Sequence, residues 1–237
     1  MNSTNLNTTT ELSNCRVYRV GGCPYFDFYN ADNMEIMKQY PDNHFDLAIV
    51  DPPYGINRDG KPKSTSKHGG HKGYEFKGWD NKPPTLEYFN ELFRVSKNQI
   101  IWGANYYPNF LKGSPGWILW DKGQRLDQAD GELAFSSINK PLRIYTLNRV
   151  ALQIEGTIHP TQKPIKLYSW IIQNYAQPNF KILDTHLGSA SIAIAVHKAN
   201  VLDKMNLHLT GIEIDADYFQ AAMNRIKKHV SQGTLPF

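Results

Sequence analysis

Hydrophobic and polar positions along the chain fall into two alternating kinds of segment. Short apolar, β-branched runs end abruptly on an acidic residue: Asp46 to Val50 stops at Asp51-Pro52-Pro53, Lys181 to Leu183 at Asp184, and Leu207 to Ile212 at Glu213. Such brief, continuously apolar runs read as buried strands. Gln99 to Trp102, Gly116 to Trp120 and Leu142 to Leu147 are further predicted strands. Helical spacing of apolar residues fills Thr85 to Ser96, Ile165 to Ala176, Ser189 to Asn200 and Asp215 to Val230, with a short helical stretch from Met34 to Tyr40. Strands alternating with helices predict an α/β fold with a mainly parallel, doubly wound sheet. Ligands of such sheets bind beyond the carboxyl ends of the strands, where the strand order reverses. The three acidic strand ends are therefore the places where chemistry is expected.

Composition narrows the class. With 41% hydrophobic and 20% charged residues in 237, the chain can bury a core, which excludes disorder and collagen-like repeats. Cys15 and Cys23 are too few for a disulfide framework and too isolated for a zinc cluster, so two thiols in a reducing cytosol and no metal are expected. Residues 1–14 lack the basic start and apolar stretch of a secretory signal, and no run reaches the roughly 18 apolar residues of a membrane span. A cytoplasmic protein without a membrane partner is the expectation.

The net charge of +4 is concentrated in one place. Between Ile56 and Lys82, the seven basic residues Arg58, Lys61, Lys63, Lys67, Lys72, Lys77 and Lys82 face only three acidic ones, Asp59, Glu75 and Asp80. His68, His71, Tyr74, Phe76 and Trp79 are interleaved with them. A basic segment carrying aromatic rings suits a polyanion with stackable bases. A loop this long inside a compact domain is usually functional or disordered.

At the first strand end, Asp51-Pro52-Pro53-Tyr54, two prolines fix the backbone and remove two N–H donors. What remains is a carboxylate and carbonyls beside an aromatic ring, a site that accepts hydrogen bonds from an amino group on a flat ring. At the second, Asp184 to Ser191 runs from a strand through a Gly188 turn into a helix whose first N–H groups are free. At the third, Glu213 stands where a carboxylate grips the hydroxyls of a nucleoside ribose, while Asp215 suits a helix cap.

Asp51-Pro52-Pro53-Tyr54 resembles the catalytic motif of amino-methyltransferases that modify adenine N6 or cytosine N4 in DNA, the Asp form being more typical of adenine-N6 enzymes. Asp184 to Ser191 resembles the family's S-adenosylmethionine loop, with Thr185, His186 and Ala190 standing where Pro, Phe and a second Gly are usual. Ala190 is expected to narrow the approach to the methionine part. His159-Pro160-Thr161-Gln162-Lys163-Pro164 matches a six-residue segment found beside the cofactor loop in the β group of these enzymes, whose catalytic strand precedes the cofactor loop. The resemblance implies a circularly permuted, Rossmann-like S-adenosylmethionine-dependent methyltransferase. Asp51, Pro52, Pro53 and Tyr54 would be its catalytic residues. Asp32, Thr161, Gln162, Lys163, Asp184, His186, Gly188, Ser189 and Glu213 would bind S-adenosylmethionine. Glu132 to Ser137 also resembles a family segment and carries no assigned role.

Expected partners are double-stranded DNA, held by Arg58, Lys61, Lys63, Lys67, Lys72 and Lys77, and a sliding clamp reached through the Gln232 to Phe237 tail; a homodimer is left open. The expected organisation is a flexible tail over 1–14, one methyltransferase domain over 15–231 and a tail over 232–237. Inside the domain, 57–81 would be a mobile DNA-contacting loop and 139–156 a minimal target-recognition segment. The competing readings are a cytosine-N4 enzyme of the same chemistry and a catalytically impaired DNA-binding relative.

Overall fold

A computed structural model describes residues 7–12, 15–19, 23, 25–60, 62, 73–123, 129–148 and 150–232. Among these residues, ten strands form one sheet: β1 (Asn7–Leu12), β2 (Cys15–Arg19), β3 (Phe26–Asn30), β4 (Leu47–Val50), β5 (Gln99–Trp102), β6 (Gly116–Asp121), β7 (Gly131–Ser136), β8 (Arg143–Thr146), β9 (Lys181–Asp184) and β10 (His208–Glu213). Six helices accompany them: α1 (Asn33–Met37), α2 (Leu86–Val95), α3 (Val150–Glu155), α4 (Ile165–Tyr175), α5 (Ser191–Leu202) and α6 (Ala216–Gln232).

The sheet order is β1-β2-β3-β10-β9-β4-β5-β7-β6-β8. β3, β10, β9, β4 and β5 are parallel neighbours, and β7 runs antiparallel to both β5 and β6. Counted from β9 as the first strand, then β10 and onward from β3, the central order is 3-2-1-4-5, the doubly wound arrangement with its reversal between β9 and β4. β4 thus precedes β9 along the chain, the order that the motifs implied.

Pleating divides the core in two. Leu47 and Ile49 of β4 pack on one face with Leu167 and Ile171 of α4, Ile192 of α5 and Phe219 of α6. Ala48 and Val50 point to the other, against Ile36 of α1 and Phe89 and Leu92 of α2. Burial on both faces is why β4 and β5 read as unbroken apolar runs rather than alternating ones. β6, in the antiparallel part, alternates buried and half-buried residues. Edge strand β8 is mostly exposed.

The predicted strands and helices recur within a few residues. Not foreseen were β1, β2, β3, β7 and α3; β1 lies within the segment expected to be a free tail, and pairs with β2. β8 and α3 occupy much of the 139–156 segment. Lys61, Lys63, Lys67 and Lys72, and the tail beyond Gln232 expected to meet a clamp, lie outside the described residues. Among the described residues, no helix is long and apolar enough to cross a membrane.

Candidate active site at the reversal of strand order

The apolar run of β4 delivers Asp51 to the rim directly at the reversal. Tyr54 Oη donates to Asp51 Oδ1 at 2.7 Å, and the Lys163 ammonium, brought from the loop before α4, contacts Asp51 Oδ2. Burial pushes the Asp51 carboxyl up from the usual carboxylate range, and Lys163 pulls it back down. Pro52 and Pro53 leave their carbonyls free of strand pairing, and Tyr107 Oη stands 2.9 and 2.7 Å from them. A carbonyl has two lone pairs, so each keeps acceptor capacity.

The loop after Tyr54 is organised by Asp80, which the sequence placed in a solvated basic stretch. Asp80 is buried because its carboxylate accepts three backbone N–H groups, from Tyr54 at 2.7 Å, Gly55 at 2.9 Å and Arg58 at 2.7 Å. Asp59, also buried, accepts from the Gly78 N–H. Both described ends of the 57–81 loop are therefore pinned. Tyr54 lies over Gly103, where a Cβ would come within 2.1 Å of the ring, so residue 103 must be glycine; its φ of +69° makes the same demand. Tyr106 stacks on Tyr54 at 4.9 Å and 16°, so one ring face expected to receive a base already has an aromatic neighbour.

On the other side of the reversal, β9, β10 and β3 end around a cavity of about 520 Å3. Glu213 is buried at its wall, its Oε2 accepting the Gly188 N–H at 2.8 Å and its Oε1 the Asp215 N–H at 2.9 Å. Each oxygen retains a lone pair for a hydroxyl donor, and burial raises this carboxyl. Asp32, Thr161, Gln162, Lys163, His186, Gly188 and Ser189 line the same cavity. Asp32 also caps α1 through the Met34 N–H, and Gln162 secures its own loop by donating to the Gly156 carbonyl. His186 is kept neutral by burial, its pKa lowered to about 3.

Three residues are placed differently from the expected arrangement. Asp184 does not line the cavity: it sits beneath it, accepting the His186 N–H at 3.0 Å, with burial raising its pKa to about 8. Ala190 does not narrow the approach, because it is fully buried behind the turn in a left-handed conformation at φ +56°. Lys77 is not a free cation awaiting phosphate; Asp215 and Asp217 hold its ammonium at 2.8 and 2.7 Å, over the Tyr218 ring. Arg58 is exposed.

A second cavity, of about 880 Å3, opens on the other side of Asp51 and is lined by Tyr54, Tyr106, Trp120 and Glu132 among others. The two cavities share Asp51, Pro53, Trp79, His159 and the Thr161–Lys163 run. Trp79 stacks on His159 at 5.3 Å, and among the described residues its buried indole Nε1 finds no acceptor, leaving a donor in that shared wall. Glu132 carries no signal of its role in the sequence because it begins a strand rather than ending one. It stands at the start of β7, which the antiparallel pairing carries to the same rim. A predicted β6–β7 hairpin would have been the signal that finds it.

A family model described as DNA methylase, covering N6 and N4 enzymes, matches residues 101–224, just over half of the chain. The chain is 24% identical over 247 residues to the type II methyltransferase M.BglII of Bacillus subtilis, covering 82% of this chain and 67% of that protein. Among solved structures, the fold is similar to that of the M1.HpyAVI–SAM complex, with a TM-score of 0.54, 21% identity and coverage of 85% of this chain and 98% of that one. It is also similar to the PvuII DNA methyltransferase, described as cytosine-N4-specific, with a TM-score of 0.54, 12% identity and coverage of 87% and 90%.

Proposed function

Because the chain belongs to the N6/N4 DNA methylase family, we propose that it transfers a methyl group from S-adenosylmethionine to the N6 amine of an adenine extruded from duplex DNA. The observation that carries this reading is the position of Asp51 and Pro53 in the wall between two cavities, one suited to a nucleoside and the other flanked by Tyr54 and Tyr106. The Asp form of the motif favours adenine. Cytosine N4 is the second reading, favoured by the likeness to the PvuII enzyme.

The residues of the smaller cavity fit S-adenosylmethionine. Glu213 offers two acceptor oxygens to a ribose diol, and the unspent Trp79 donor stands in the same wall. A cavity of about 520 Å3 is in the range of small-molecule sites. Asp32, Thr161, Lys163, His186, Gly188 and Ser189 would complete the binding surface, with Asp184 shaping the turn beneath it. The cofactor supplies a methyl group made electrophilic by a sulfonium.

The chain's own task is to make the target amine nucleophilic. An exocyclic amine conjugated with its ring is a poor nucleophile. Asp51 accepts one amino hydrogen and the Pro52 carbonyl the other, which lets the nitrogen pyramidalise and aim its lone pair into the adjoining cavity. The Tyr107 hydroxyl fixes that carbonyl beforehand, and Pro53 keeps the turn rigid. The base reaches this position only by leaving the duplex. Arg58, Lys61, Lys63, Lys67 and Lys72 contact phosphates from the loop that Asp59 and Asp80 anchor, while residues 139–156 leave little chain for reading sequence. Residues 15–231 act as one methyltransferase unit.

Incubation with tritiated S-adenosylmethionine and unmethylated duplex DNA, followed by nucleoside separation, tests the reading. Label in N6-methyladenine is expected. Label in N4-methylcytosine would move it to the second reading, and no label in DNA would reject both.

A further inference from the structure

Four sheltered side chains of alternating charge run from β6 to the catalytic strand end. Lys122 Nζ lies 2.7 Å from Glu132 Oε1, Lys163 Nζ lies 3.1 Å from Glu132 Oε2, and Lys163 also contacts Asp51. Their side chains are 7% (Lys122), 24% (Glu132), 3% (Lys163) and 16% (Asp51) exposed, so the two ammonium groups rely on the carboxylates between them more than on water. Burial works against the Lys163 ammonium, and the Asp51 and Glu132 carboxylates outweigh it. Glu132 is held ionised by the two lysines, its pKa lowered to about 2.

This arrangement poses a problem for the reaction described above, on which the inference rests. Asp51 must aim a lone pair at the target amine, yet Lys163 holds one oxygen and Tyr54 the other, which fixes the direction of the carboxylate's remaining lone pairs. Releasing a buried ammonium with nowhere to go leaves an unpaired charge, which is strongly unfavourable. We propose that Glu132 is a positioning residue for methyl transfer: it is the second seat of the Lys163 ammonium, letting Asp51 turn to the target amine without stranding a buried cation. Lys122 competes with Lys163 for Glu132 and so sets how firmly that second seat holds.

Glu132 and Lys122 then have opposite effects when removed. Glu132→Gln leaves Lys163 fixed on Asp51. Lys122→Met gives Glu132 to Lys163 alone and draws the ammonium away from Asp51. The test is steady-state methylation of unmethylated phage DNA by the full-length protein, with calorimetry of S-adenosylmethionine binding and thermal unfolding run on the same samples. For E132Q the expected result is a kcat at least 30-fold below wild type, with the cofactor Kd and the KM for DNA within threefold. For K122M a two- to fivefold rise in kcat is expected. Parallel losses in both variants would reduce the cluster to a structural brace and overturn the proposal, as would an E132Q kcat within threefold of wild type. If E132Q does not fold, K122M decides alone, a tenfold fall in kcat overturning the proposal. A wild-type protein that labels no DNA would instead sink the functional reading itself, which the calorimetry separates from lost cofactor binding.

Discussion

The two halves of the site are held together differently. On the cofactor side, the groups sit on neighbouring parallel strands, and backbone N–H groups fix them: Gly188 and Asp215 hold Glu213, and His186 holds Asp184. On the base side, side chains distant in sequence hold one another through charge, with Lys163 joining Asp51 to Glu132, although the loop after Tyr54 is gathered by backbone N–H groups on Asp80. Backbone-held groups are placed by the strand path alone. Charge-held groups depend on several segments arriving together, so single substitutions there should spread further.

The largest effect should separate the halves outright. Asp51→Ala is expected to lower kcat more than a hundredfold, a loss of the size seen when a reacting-centre acceptor or donor is removed, while calorimetric affinity for S-adenosylmethionine stays within a few-fold. Comparable loss of cofactor affinity would mean that the halves are not separable. Next, Asp80→Ala leaves three backbone N–H groups without their carboxylate, and a destabilisation of about 3 kcal/mol is expected in denaturant titration. An effect under about 1 kcal/mol would show that the loop is held by other contacts.

Asp184 gives a pH test of the backbone-held half. Its pKa is raised to about 8, so above the usual carboxylate range the folded chain keeps a proton that the unfolded chain has lost. Its contribution is complete at low pH and declines as pH rises through about 8, by up to about 1.4 kcal/mol per pH unit. Unfolding measured from pH 5 to 9 should show this decline up to about pH 8 and level off above it, and Asp184→Asn should flatten it. The smallest effect is expected at Ala190, whose left-handed backbone costs a side-chain-bearing residue about 1 kcal/mol. Ala190→Gly should raise the melting temperature by about 2 °C, net of the added freedom of the unfolded chain, without altering cofactor affinity.

The same division explains what was legible in the sequence. β4, β9 and β10 announce themselves because strands buried on both faces are unbroken apolar runs, and the acidic residue that ends each is placed by the strand itself. Asp51 and Glu213 could be read that way. Glu132 could not, because it begins a strand whose antiparallel direction only pairing reveals. Asp80 reads as one more charge in a Gly- and Lys-rich loop, and its burial follows from three N–H groups whose convergence no local pattern encodes. Lys77 reads as part of a polyanion surface because the carboxylates that hold it lie 138 and 140 residues away.

The permuted order of strands also governs when the fold can close during synthesis. β3 is the first of the parallel strands to leave the ribosome, yet its parallel partner is β10, with Asn30 and Glu213 separated by 183 residues. The central strand β9 likewise arrives late, so β4 emerges with its inner edge unpaired until nearly the whole chain exists. Contacts of such long range delay folding. At synthesis rates of about 5–20 residues per second, the nascent chain holds an exposed apolar edge for roughly 7 to 27 seconds. Growth conditions that slow elongation should therefore lower the soluble yield of this protein more than that of a chain whose central strand is made first.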